Sequence, residues 1–229
     1  PRGQQAILGR NEDRDDDDEL EGFETLLSVA EELVDKAARR KLPRLIGEPP
    51  ELGALERRLR AYPPPSLLLV GPSGVGKTAW VLRLAQTFLR WRRDKKGADA
   101  PRIWRTNAER LIGGMVYLGQ WQERIFRLVD ELSHEGHLLY VDRLTGILAP
   151  QPDGATIADL LAPALEAREI SLLAECSEEE LEACRRRAPR FLSQFEVHRL
   201  EPSKMAEMGE LVVAYLQRKE RAVVSVEGR

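Results

Sequence analysis

The stretch Leu67-Leu68-Leu69-Val70-Gly71-Pro72-Ser73-Gly74-Val75-Gly76-Lys77-Thr78 constrains this chain more than any other. An apolar run of strand length breaks into a glycine-rich turn, and Lys77-Thr78 opens AWVLRLAQTFLR, whose apolar residues recur at helical spacing. The pattern G-x-x-x-x-G-K-T is that of a phosphate-cradling loop between a strand and a helix. Gly71, Gly74 and Gly76 let the backbone curl until successive N–H groups face one point, and the helix that follows aims its partial positive charge there. The whole turn, from Gly71 through Pro72, Ser73, Gly74, Val75 and Gly76, is the candidate cradle. Lys77 is placed to reach β- and γ-phosphates, and the Thr78 hydroxyl to hold Mg²⁺.

Around this loop, strand-like and helix-like segments alternate. Candidate strands are residues 66–70, RIWRT (102–106), HLLYVD (137–142), EISLLAEC (169–176) and FEVHRLEP (195–202). Helical spacing is expected over Phe23–Arg40, with Leu26, Leu27, Ala30, Leu33, Val34 and Ala37 on one stripe. Further helices are expected in LGALERRLRA, after the loop NAERLIGGMVYLG, from Thr156 to Arg168, after a capping box at Ser177 and Glu180, and from Ser203 to Arg218. The alternation predicts a three-layer α/β/α fold around five mainly parallel strands, with ligand at their carboxyl ends. A chain of 229 residues can hold one sizeable domain, or one plus part of another. Three parts are expected: an acidic disordered linker over 1–22 (NEDRDDDDELE), a large α/β domain with its leading helix over 23–201, and an incomplete small helical domain over 202–229.

The net charge of −3 gives no general argument for nucleic acid, and no apolar run approaches the length of a membrane span. Cys176 and Cys184 lack metal-ligand spacing and read as reduced thiols of a cytoplasmic protein. The chain opens on Pro1 without a signal peptide, as a piece of a longer polypeptide would. A phosphate loop calls for a second element, an aspartate at the end of a neighbouring strand that holds Mg²⁺ directly or through water. HLLYVD supplies Asp142.

The blocks LPRLIGEPPEL, LLLVGPSGVGKT, RIWRTNAERLIGGMVYLGQWQERI, HLLYVDRL, TIADLLAPALEAREISLLAECS and PRFLSQFEVHRLEPS, in that order, resemble the first ATPase module of Clp-type AAA+ unfoldases and disaggregases. The resemblance runs from about Leu26 to the C-terminus. It implies an AAA+ P-loop fold with the start of its helical lid near Pro202, ATP with Mg²⁺, and a ring, usually a hexamer, that threads protein substrates through a central pore. It also implies that Ile46 and Gly47 bracket the adenine and that Tyr117 is the pore-loop tyrosine that grips polypeptide.

Three departures from the family fall on hydrolysis. The position of the water-polarising glutamate, after Asp142, is Arg143. The arginine-finger positions before Phe195 are Ser193 and Gln194, and the sensor threonine falls at Cys176. Glu48 stands where the family has arginine. Glu175 on the adjacent strand is a candidate to lend a carboxylate, and Arg190 lies three residues before the expected finger site. The reading is an ATP-binding module whose hydrolysis is weak or lost, within a protein-remodelling ring. The alternatives are an active ATPase with a rerouted catalytic residue and a nucleotide-dependent scaffold in a larger complex. A replication or transcription AAA+ protein is disfavoured, because no basic DNA-reading helix is evident.

Overall fold

The computed structural model of the chain describes residues 20–43, 45, 52–94, 101–114, 119–133 and 136–202. The expected linker up to residue 19, Ile46 and Gly47, Tyr117 and the helix from Ser203 lie outside the described residues.

Six strands form one sheet in the order β1-β3-β4-β5-β2-β6. They are β1 (Glu31–Glu32), β2 (Ser66–Val70), β3 (Ile103–Thr106), β4 (Leu138–Val141), β5 (Ser171–Cys176) and β6 (Phe195–Arg199). The five strands expected from sequence all form, and all pair in parallel; β1 alone is antiparallel, to β3. In parallel sheets both faces are covered by helices, so strands read as unbroken apolar runs. SLLLV and SLLAEC are accordingly buried at every position.

Alternation along the strands divides the core in two. Leu67, Leu69, Ile103, Leu138, Tyr140 and Leu173 face one layer, packed by α2 (Leu33–Ala38), α3 (Leu52–Leu59) and α4 (Lys77–Asp94). Leu68, Val70, Trp104, Leu139, Val141, Leu172 and Ala174 face the other. That second layer holds α1 (Glu24–Val29), α5 (Ala108–Ile112), α6 (Gln120–Ser133), α7 (Leu144–Ile147), α8 (Ile157–Glu166), α9 (Glu178–Arg187) and α10 (Pro189–Leu192). Helix α9 starts with the expected capping box of Ser177 and Glu180, and α8 with one of Thr156 and Asp159. No described helix is long and apolar enough to cross a membrane.

The single helix expected over Phe23–Arg40 is a correction. The chain there forms α1, turns extended at Ala30, pairs with β3 through Glu31 and Glu32, and resumes as α2. Leu26 packs in one layer and Leu33 and Val34 in the other, while Leu27 stays 49% exposed. The apolar stripe is therefore two short stripes on opposite faces of the sheet, joined where the chain passes around its edge. Glu32 enforces the break. Its buried carboxylate accepts the N–H groups of Val34 and Asp35 at the start of α2 and that of Ile103 from β3 at 3.2 Å. A carboxylate at a helix N-terminus satisfies donors that a continuous helix would have used internally.

Candidate functional site

The site grows from the carboxyl ends of β2, β4 and β5. Register pairs Val70 with Cys176 and Val141 with Ala174, so the loop after β2, Glu175 on β5 and Asp142 after β4 end at one level.

The glycine-rich loop is pinned at its root. The Gly71 N–H donates to the Cys176 carbonyl at 3.2 Å, and the Leu200 N–H to the Val70 carbonyl at 2.8 Å. A Cβ on Gly71 would stand 2.7 Å from the Leu200 carbonyl oxygen, so glycine is demanded there by close approach. Gly74 and Gly76 have φ of 81° and 102°, the left-handed region that side chains disfavour. They turn the loop into α4, whose first residue is Lys77. The Lys77 ammonium folds over its own loop and donates to the carbonyls of Gly71 at 2.7 Å and Pro72 at 3.0 Å. An ammonium held over this loop at the start of an 18-residue helix can accept an anion by exchanging those carbonyls for its oxygens.

Beside this cradle lies a polar cluster on the α4 face of the sheet. The Thr78 hydroxyl donates to one oxygen of Glu175 at 3.2 Å, and the Tyr140 hydroxyl donates to the other. Glu175 is only 6% exposed. Burial raises its carboxyl above the usual carboxylate range, against the opposing pull of the Tyr140 and Thr78 bonds. Burial and the neighbouring carboxylate push the Tyr140 phenol well up, which keeps it a donor. Asp142 accepts a bond from Arg105 at 3.2 Å, and the Arg105 guanidinium lies 6.0 Å from the Tyr140 ring centre. Thr78, Arg105, Asp142 and Arg143 line one open pocket of about 400 Å³.

Arg143 is exposed at the N-cap of α7, and its side chain makes no capping bond. A guanidinium has no acceptor and does not deprotonate, so it cannot take a proton from water. Cys176 is buried on the opposite face of β5 among apolar residues, and burial pushes its thiol up to about 12. Ser193 and Gln194 lie in the turn that enters β6, at the amino ends of the strands and hence at the far end of the sheet from the loop. There they line a groove of about 480 Å³ with Arg58 and Arg168. Arg190 is exposed one turn earlier, and its carbonyl accepts the Ser193 hydroxyl at 2.7 Å. The structure thus brings Lys77, Thr78, Asp142 and Arg143 together and sets Ser193 and Gln194 apart.

Sequence reasoning missed Arg105 and Tyr140. Residues 105, 140 and 142 alternate onto the α4 face, and Arg105 pairs in register with Tyr140. Only the β3–β4 register would have shown that a cation neighbours Asp142.

A strand–loop–helix phosphate cradle after β2, an aspartate closing β4 and this sheet order define the class, an α/β fold of the AAA+ P-loop type. No protein-family model matches the chain. The chaperone protein ClpB of Aquifex aeolicus is 31% identical over 147 residues, which cover 63% of this chain and 14% of the relative. ClpB of Nitratidesulfovibrio vulgaris is 30% identical over 173 residues, 74% of this chain and 19% of the relative. Among solved structures, the extended Saccharomyces cerevisiae Hsp104–casein complex matches with a TM-score of 0.71 at 20% identity, covering 86% of this chain and 34% of that one. A closed state of Hsp104 with ATPγS and labelled casein matches with a TM-score of 0.72 over the same shares. Together these likenesses support assignment to the Clp-type AAA+ chaperones, and the small share of each relative that is covered fits a single ATPase module.

Proposed function

We propose that this chain is the ATP-binding first AAA+ module of a Clp-type protein-remodelling ring, with hydrolysis weak or lost. The observation that supports the reading is the convergence of the loop's candidate binding residues beside an arginine where the resemblance implies the water-polarising glutamate. The loop, Lys77, Thr78 and Asp142 converge, while the expected water-polarising position presents the exposed Arg143. The residues fit a magnesium nucleotide. The left-handed Gly74 and Gly76 leave the space beside them open, and a hydroxyl next to two carboxylates, Asp142 and Glu175, is the oxygen donor set that a hard cation prefers. ATP would supply the phosphoryl group. Lys77 would hold its β- and γ-oxygens, Thr78 and Asp142 would hold Mg²⁺, and the loop N–H groups would fix the phosphates. Losing a general base removes roughly 10²–10⁴ in rate. Losing an arginine finger removes roughly 10³–10⁵ in other P-loop enzymes.

Ser193 and Gln194 lie too far around the sheet to serve their own loop, which suits positions that act on a neighbouring subunit in a ring. A cytoplasmic homohexamer with a protein substrate held by Tyr117 and adenine bracketed by Ile46 and Gly47 completes the reading. An active, rerouted ATPase is the second reading, favoured by one observation: a carboxylate, Glu175, does reach Thr78.

Calorimetric titration of ATP with Mg²⁺ into the parent and Lys77→Ala tests the proposal. Strong weakening in the variant is expected, because the only side-chain cation that the loop motif aims at the phosphates is lost. Equal affinity overturns the reading.

A further inference from the structure

We propose that Glu175, and not Asp142, is the carboxylate that orients the Thr78 hydroxyl toward the metal ion of a bound nucleotide, an assignment that rests on the nucleotide reading above. A threonine hydroxyl has one proton and two lone pairs. It serves a metal when the proton is given to an outer acceptor and a lone pair is left facing the ion, and such outer partners set the strength of the inner ligand. The bond from Thr78 to Glu175, at 3.2 Å, is that arrangement.

Glu175 is also held as an orienting group must be. It is almost fully buried, and the Tyr140 hydroxyl fixes its second oxygen. Asp142 is engaged elsewhere: Arg105 donates to it at 3.2 Å. Tyr140 organises both halves, with its hydroxyl on Glu175 and its ring beneath Arg105. The two carboxylates therefore divide the work. Glu175 positions Thr78, and Asp142 faces the pocket beside Arg143 with its charge partly compensated. Both Glu175 oxygens are engaged by hydroxyl donors, so this role is distinct from that of a base aimed at water.

The test is the ratio of ATP affinity in Mg²⁺ to ATP affinity in EDTA, measured by calorimetry on the whole chain. The parent, Glu175→Gln and Lys77→Ala are compared, with melting temperatures recorded for each. Partners of this kind typically change metal affinity by about 10–100-fold. Glu175→Gln should lose about tenfold or more of the magnesium gain. A purely structural role would lower the melting temperature and leave the ratio in place. Should Glu175→Gln not fold, Tyr140→Phe carries the test, with a several-fold loss of the same ratio expected.

A magnesium gain equal to the parent's in Glu175→Gln overturns the assignment. So does a parent that binds ATP in a Lys77-dependent way with no magnesium gain, which leaves the nucleotide reading standing. A parent no better than Lys77→Ala overturns both.

Discussion

Replacing Gly71 by alanine separates what the loop needs for its fold from what it needs for a ligand. The new methyl would lie 2.7 Å from the Leu200 carbonyl oxygen and 3.0 Å from the Val75 methyl. Carbon–oxygen contacts in folded proteins rarely close below about 3.3 Å, so a backbone must retreat by roughly 0.6 Å. Leu200 is held by its N–H bond to Val70 at 2.8 Å, and Gly71 by its bond to Cys176 at 3.2 Å, so neither moves freely. Overpacking of this kind costs about 1–3 kcal/mol, and a strained or lost backbone bond about 1 kcal/mol more. The smaller entropy of the unfolded alanine chain returns about 0.4–1 kcal/mol. The net is a loss of about 1–3.6 kcal/mol, or roughly 2–14 °C in melting temperature for a chain of this size. Thermal unfolding by circular dichroism without nucleotide measures it. Gly53→Ala is the internal control: Gly53 sits in α3 with nothing within 4 Å of the place a methyl would take, and alanine there should hold or raise stability. If Gly71→Ala melts with the parent, the root of the loop has room for a side chain and the close-approach argument is wrong.

Restoring one catalytic element should not restore turnover. Arg143→Glu alone should release phosphate slowly, and substantial recovery should need Gln194→Arg or Ser193→Arg as well in an assembled ring, because base and finger act on one transition state and are non-additive. Parent turnover on the order of 1 s⁻¹, with any second ATPase site disabled, would establish the rerouted reading instead. Acid should destabilise the fold through His137. Burial lowers its imidazole from 6.5 to about 3, so below 6.5 the unfolded chain takes up a proton that the folded chain refuses. Stability is therefore lost as pH falls from 6.5 toward about 3, by about 2 kcal/mol between pH 6.5 and 5. His137→Gln keeps an acceptor for the Arg102 N–H and should flatten that slope in urea titrations; an unchanged slope would rule His137 out.

What could be read from the residues was what local pattern encodes. Four of the five parallel strands are short, largely buried runs bounded by polar turns, and the phosphate loop is a fixed spacing, so both were legible. The path of residues 23–40 was not. An i, i+3, i+4 stripe looks the same whether one helix carries it or two short helices divide it between the faces of a sheet, and the deciding contact, Glu32 to Ile103, spans β1 and β3. Within the site, Lys77, Thr78 and Asp142 were legible as a motif. The bonds from Arg105 to Asp142 and from Tyr140 to Glu175 were not, because each depends on cross-strand register that no single segment encodes.

The two residues of β1 have a consequence for how copies of this molecule meet. A bare β3 would offer a row of unpaired amides and carbonyls, the template on which stray strands add and proteins aggregate. β1 covers part of that row with a segment too short to propagate pairing, and it brings two carboxylates to do so. Glu31 is tied to Lys36 at 2.7 Å and Arg110 at 3.0 Å, and Glu32 is buried against Arg102. An incoming strand would have to strip these charges of their partners before gaining a single backbone bond. Strand addition along this side is thereby opposed, and β6 is left as the sheet's other edge.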